Sequence, residues 1–177
     1  MMEEVILVND KDEQIGTMEK LEAHEKGVLH RAFSVFLFDV DGRMLMQRRA
    51  DSKYHSAGLW SNTCCSHPQP GESLESAVDR RLWEELGVKA TTREVFSFIY
   101  EADLENNLIE HELDHVFIGK ITSVPQINPE EVSQISFMTE EELSESIEAD
   151  PSLFTVWFLK TVDRVWETYE LENNNDD

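Results

Sequence analysis

The stretch from Asn62 to Gly87, NTCCSHPQPGESLESAVDRRLWEELG, constrains the fold of this chain more than any other. Ser73 is a good N-cap, Glu75 falls in the first turn where the helix dipole favours an anion, and Gly87 is placed to end a helix in a left-handed conformation. Leu74, Val78, Leu82 and Leu86 recur every fourth residue and give that helix a buried stripe. Arg81 and Glu85, also four apart, are then neighbours on its surface. Cys64, Cys65 and His67 arrive just before it, on a strand end and a loop. Thiols and an imidazole delivered to one helix start are more chemistry than a scaffold segment needs, and the segment reads as an active centre.

The chain of 177 residues, 40% apolar, is long enough to bury a sizeable core in one domain, expected over residues 1–172 with a disordered acidic tail over 173–177. It has no apolar run long enough to span a membrane and no secretory signal at its start, so a cytoplasmic location is expected. Two cysteines adjacent in sequence cannot staple distant parts of a fold; they are inert core residues or reactive thiols. The formal net charge of -22 disfavours nucleic acid and anionic membranes as partners. A small anionic ligand stays open, and would need a local basic cluster or a bound metal.

A short strand over residues 4–8 opens the chain, followed by a polar, turn-like stretch that suggests a hairpin, while residues 18–30 carry no decisive pattern. Ala32 to Asp39 is almost continuously apolar and reads as a central strand buried on both sides. Asp41-Gly42 is a hairpin signal leading to a strand that ends at Arg49. Beyond the central helix, residues 95–101 form a strand with Phe96, Phe98 and Tyr100 on one face. Along residues 108–118, period-two alternation puts Glu110, Glu112 and Asp114 on one face and His111, Leu113 and His115 on the other. Three aligned acids either hold a cation or keep an edge strand soluble. Thr139 with Glu142 is a capping box, and Asp150-Pro151 starts the last helix, whose face carries Phe154, Trp157, Phe158, Val162 and Val165. Strands and helices in this order suggest an α/β (α+β) domain, a mixed sheet between helices.

His24, His30, His67, Glu110 and Glu112 together offer imidazole and carboxylate to one divalent ion, a set that suits Mn, Mg or Zn. Taken singly, each is as well read as a hydrogen-bonded structural or solvated residue. Cys65 alone is a small core hydrophobe. Beside His67 and ahead of a helix N-terminus, a lowered pKa would suit it to proton transfer, although Cys64 shares the neighbourhood and strand alternation lets only one of the pair face a cavity. Tyr100 and Trp157 read as core aromatics with a polar handle. Lys20, Arg49, Lys53 and Arg81 are ordinary surface charges unless they meet, in which case they would cradle a diphosphate.

Residues 66–88 resemble the Nudix box, G-x5-E-x7-R-E-U-x-E-E-x-G-U, with Glu72, Arg80, Leu82, Glu84, Glu85, Gly87 and Val88 in register. The chain departs from it at Ser66, where the box has Gly, and at Arg81, where it has the Glu that Nudix hydrolases use for their catalytic metal. That second departure, with NTCCSHP, LEAHEKGVLH and IEHE, is similar to type I isopentenyl-diphosphate delta-isomerases, Nudix-fold enzymes of isoprenoid biosynthesis, and the resemblance runs from Val5 to the last helix. It implies a catalytic thiol at Cys65, a catalytic glutamate at Glu112 with Tyr100 beside it, and Trp157 facing the isoprenyl group. It also implies metal ligands at His24, His30, His67, Glu110 and Glu112. Lys20, Arg49, Lys53 and Arg81 match diphosphate contacts, and Glu85 the acid that helps hold a magnesium ion with the substrate diphosphate. His111 and Asp114 match no role. The expected partner is a small-molecule diphosphate, and the expected state a monomer or weak homodimer. The rival readings are a Nudix diphosphohydrolase, which gives no reason for Cys65, and a non-catalytic metal- or prenyl-diphosphate-binding domain.

Overall fold

The strand β3, His30–Phe38, is the hub of the molecule, and four others pair with it. The structure is a computed structural model that describes residues 2–175. Along β3, Phe33, Val35 and Leu37 point to one apolar cluster and Phe36 and Phe38 to another, which is why its sequence is apolar at nearly every position. One edge runs parallel to β8, Ile109–Lys120, from His30↔Glu112 to Phe38↔Lys120. The other edge is shared. Leu7 of β1 (Glu4–Val8) meets His30, β6 (Cys64–Ser66) pairs antiparallel over Phe33 to Val35, and β4 (Met44–Arg49) pairs at Phe38↔Met44 through the Asp41-Gly42 turn.

The sheet extends outward on each side. β2 (Gln14–Glu19) forms the expected hairpin with β1, β7 (Thr92–Asp103) lies antiparallel to β8, and β4 also pairs with β5 (Trp60–Ser61) and β9 (Val132–Met138). The undecided segment resolves as α1, Lys20–Lys26, capped by the Glu19 side chain and closed by Gly27 at φ 66. The helix α2, Leu74–Leu86, begins at Ser73, whose side chain accepts from the Ser76 N–H, and ends at Gly87 with φ 61. Ala77, Val78, Leu82 and Leu86 pack on Phe33, Val35, Leu37 and Phe117. On the opposite face α4, Val156–Asn175, lays Trp157, Phe158, Val162, Val165 and Trp166 on Phe36 and Phe38, joined by Leu143 of α3 (Glu140–Ala149). The sheet is therefore mixed and sandwiched between helices. Each large apolar side chain so buried contributes about 1.5–3 kcal/mol.

Three expectations at the periphery change. Asp150-Pro151 caps only the short 3-10 turn Pro151–Leu153, and α4 starts later, at Val156. Phe154 is thus anchored outside the helix, bridging to Trp60. The helix also continues through Asn173–Asn175, so that part of the tail is helical, and 176–177 lie outside the described residues. Arg81 and Glu85 do pair, at 2.8 Å, but Glu85 is buried rather than on a solvated surface. No helix among the described residues is long and apolar enough to cross a membrane.

Candidate active site

Because β8 lies between β3 and β7, its acidic face is not an edge at all. Glu110, Glu112 and Asp114 are buried, at 3%, 6% and 2% exposure, and that disposes of the solubilising alternative. The register sets Tyr100 directly across from Glu112, and its hydroxyl donates to Glu112 Oε1 at 2.5 Å. Residue 30, at the start of β3, stands beside Glu112 on the other side, with His30 Nε2 3.4 Å from Glu112 Oε2. His67, on the loop after β6, reaches the same oxygen at 2.7 Å. His24 approaches from α1, its Nε2 3.5 Å from Glu110 Oε2.

Backbone carbonyls orient two of these rings. The Nδ1 of His24 lies 2.7 Å from the Lys20 carbonyl oxygen and that of His30 lies 2.8 Å from Val28's, so each Nδ1 carries the proton and each Nε2 presents a lone pair. His24 Nε2, His30 Nε2 and Glu110 Oε2 are buried without a hydrogen-bond partner. Buried polar atoms are seldom left so, and three converging unpaired donors with Glu112 and His67 fit a divalent cation. The ligand nitrogens of His24, His30 and His67 lie within 4.8 Å of one another, as do ligand atoms of His30, Glu110 and Glu112. Burial depresses His24 and takes His67 to about 4, so both rings are neutral, the form that binds metal. Burial and the neighbouring Glu112 charge push Glu110 well up. Burial works against the Glu112 carboxylate as well, but His67 and its hydrogen bonds hold it well below the ordinary range.

Asn62 and Thr63 clamp β6 onto the sheet: the Asn62 amide donates to the Val35 carbonyl at 3.0 Å and Thr63 Oγ1 accepts from the Leu37 N–H at 2.9 Å. Alternation then decides between the cysteines. Cys64 is fully buried with Ala77, Val78 and Leu82, whereas Cys65 is half-buried and lines the cavity that Glu112 also lines. The Cys65 thiol does not have a lowered pKa. Burial pushes it up to about 12, because the cavity wall removes water that would solvate a thiolate and the nearby cation Arg49 only partly offsets this.

Lys20, Arg49, Lys53 and Arg81, scattered in sequence, line this same cavity, as do Tyr100, Glu110 and Trp157. The Arg49 guanidinium sits 5.3 Å from the Trp157 ring. Arg81 is held by Glu84 and Glu85, each at 2.8 Å, and shares Glu131 with Lys53, at 3.3 and 2.5 Å. Glu85 stands behind Arg81, where Gln47 also donates to it at 3.1 Å, and not in the cavity wall. In the box, Arg80 clasps Glu72 through two hydrogen bonds of 2.8 and 2.9 Å, tying the helix to the turn before it.

Sequence reading passed over several cavity residues. Tyr54, Glu3 and Glu131 line it, and so does His55, a buried fourth imidazole with Nε2 3.4 Å from Glu110 Oε1. His55 stands in the irregular loop after β4, where no periodicity marks a facing side chain; its place two residues beyond Lys53 was the one available signal. Asp114 also points inward, accepting from Ser34 Oγ at 2.7 Å, and burial pushes its carboxyl well up.

This sheet, the box helix and the cavity define a Nudix domain, and the family model for the NUDIX domain matches residues 28–158. A protein from Pectobacterium atrosepticum named isopentenyl-diphosphate Delta-isomerase is 47% identical over 174 residues, covering 97% of this chain and 97% of its own. One from Photorhabdus laumondii, isopentenyl-diphosphate Delta-isomerase 2, is 51% identical over 162 residues, covering 91% and 92%. A crystal structure of a Deinococcus radiodurans protein matches with a TM-score of 0.69 and 25% identity, over 84% of this chain and 90% of that one. The chain belongs to the isopentenyl-diphosphate Delta-isomerase family of Nudix-domain proteins.

Proposed function

We propose that this enzyme interconverts isopentenyl and dimethylallyl diphosphate, with Cys65 and Glu112 as the proton-transferring pair. One observation carries the assignment of roles. A thiol, a carboxylate, an indole face and the basic residues Lys20, Arg49, Lys53 and Arg81 line a single cavity. Moving an unactivated double bond by adding one proton and removing another passes through a tertiary carbocation. The site therefore needs an acid, a base and no water. Burial keeps the proton on Cys65, while His67 and the hydrogen bonds around it keep the charge on Glu112 against the cost of burial, a complementary pair whose donor and acceptor exchange roles when the reaction runs backwards. Tyr100 holds Glu112 in place through its 2.5 Å hydrogen bond. Trp157 would stabilise the cation by about 2 kcal/mol or more if desolvated.

The basic side chains would grip the diphosphate, so that binding energy fixes the alkene between acid and base. His24, His30, His67, Glu110 and Glu112 would hold a divalent metal, Mn, Mg or Zn, whereas Glu85, which stands behind Arg81 and outside the cavity wall, would share a magnesium ion with the diphosphate only where Arg81 swings aside. Bound there, a metal supplies positive charge that orients Glu112 and sets its proton affinity. A diphosphohydrolase is disfavoured by Arg81, which stands at the box's glutamate position and pairs with Glu84, Glu85 and Glu131.

The test is incubation of the metal-loaded protein with isopentenyl diphosphate in heavy water, following alkene protons by NMR and released phosphate in parallel. Dimethylallyl diphosphate carrying deuterium, without phosphate, is expected. Phosphate release without isomerisation would overturn the proposal. His67→Ala is expected to weaken manganese binding at least about tenfold, read from the free-ion signal in electron paramagnetic resonance, since even residues that only orient ligands are worth that much. Unchanged binding would remove His67 from the metal site.

A further inference from the structure

Glu110 stands between two imidazoles, and only one of them belongs to the proposed ligand set. Its Oε2, buried and without a partner, faces His24 at 3.5 Å, while its Oε1 faces His55 Nε2 at 3.4 Å. Resting on the metal reading above, we infer that His55 is a positioning residue, which holds Glu110 from behind so that Oε2 points at the metal and which braces the Trp157 indole.

The loop carrying His55 is built to fix that ring. Arg49 Nη2 donates to the His55 carbonyl at 3.2 Å, and Glu105 accepts from the N–H of Ser56. Ser56 itself adopts φ 51, a left-handed conformation that a serine keeps only where its surroundings enforce it. The Ser56 hydroxyl lies 3.3 Å from His55 Nδ1 and can donate there, which leaves Nε2 to carry the ring hydrogen toward Glu110. The ring is buried and packs edge-on to Trp157 at 5.9 Å and to Tyr54 at 4.7 Å. An N–H behind a metal-binding carboxylate sets which oxygen binds and how strongly, and losing such a partner typically costs about 10–100-fold in metal affinity or activity. Because the Arg49 contact is to the backbone, the side chain can be changed without removing the diphosphate grip.

The experiment titrates the full-length protein with Mn2+ by electron paramagnetic resonance. His55→Leu and His55→Asn, neither able to put an N–H where Nε2 stands, are expected to bind about 10–100-fold more weakly. His55→Gln, whose amide can reach that point, is expected to bind within about threefold of wild type, which a merely space-filling role would not produce. In steady-state assays at saturating manganese, kcat is expected to fall in His55→Leu with KM nearly unchanged. X-ray absorption of the zinc-loaded wild type is expected to count three imidazoles. Four would make His55 a ligand and overturn the inference, as would unaltered Mn2+ binding by His55→Leu and His55→Asn while His67→Ala has lost it. If His67→Ala also binds as wild type does, the metal reading itself falls.

Discussion

Cys65→Ser is expected to lower turnover by about three orders of magnitude, with the fold and manganese binding intact. General acid–base groups contribute about 10²–10⁴-fold, and a serine hydroxyl surrenders a proton far less readily than a thiol. The oxygen is slightly smaller than the sulfur and sits in a half-buried position on β6, so little packing is lost. The strand stays in register because its clamps, Asn62 and Thr63, are untouched. The metal is spared because the converging donors come from α1, β3, β8 and the His67 loop. Turnover from the NMR assay and Mn2+ binding of the same preparation check both halves. Activity within tenfold of wild type would take the proton away from Cys65. It could not simply pass to Cys64, which is fully buried against α2 on the other side of the strand.

Much of the scaffold was legible because it rests on local patterning. The fourfold leucine spacing of α2, the two-sided apolar run of β3 and the Thr139–Glu142 box all appear as read, the last with both hydrogen bonds made. What remained hidden depends on partners distant in sequence. The alternation of Glu110, Glu112 and Asp114 was visible, but whether it faced water or a cation depended on β8 lying parallel to β3, some 80 residues away, which no local signal records. α1 escaped because seven residues are too few for an apolar period to show, although it delivers both Lys20 and His24. The Cys65 pKa was read in the wrong direction for the same reason. Neighbours in sequence, His67 and a helix start, suggested a thiolate, whereas the burial that keeps the proton on is a property of the assembled cavity. His55 is the extreme case, a loop side chain whose meaning lies wholly in the Glu110 oxygen it meets.

Glu112→Gln should be the most damaging conservative change in the protein, with turnover down by more than about 10⁴-fold. Two losses coincide in it. As the proposed proton acceptor, Glu112 accounts for about 10²–10⁴-fold by itself. As a proposed ligand it also supplies the negative charge that His30 and His67 face, at 3.4 and 2.7 Å, and a neutral amide would leave the metal with a weaker oxygen donor. Glutamine fills the same volume opposite Tyr100 and can still accept the tyrosine hydroxyl, so the strand pairing and the cavity shape persist. The two losses separate experimentally. A metal that binds the folded state raises stability by RT ln(1 + [metal]/Kd), about 2.7 kcal/mol at a hundredfold excess over Kd. Wild type should therefore melt higher with manganese than after chelation, and Glu112→Gln should lose most of that increment. Adding manganese until the increment returns should leave turnover still depressed by the general-base factor. A variant that regains full activity on metal loading would show that Glu112 is only a ligand, and the proton would then have to be sought on Tyr100, Glu110 or Asp114, the other titratable groups facing the cavity from β7 and β8.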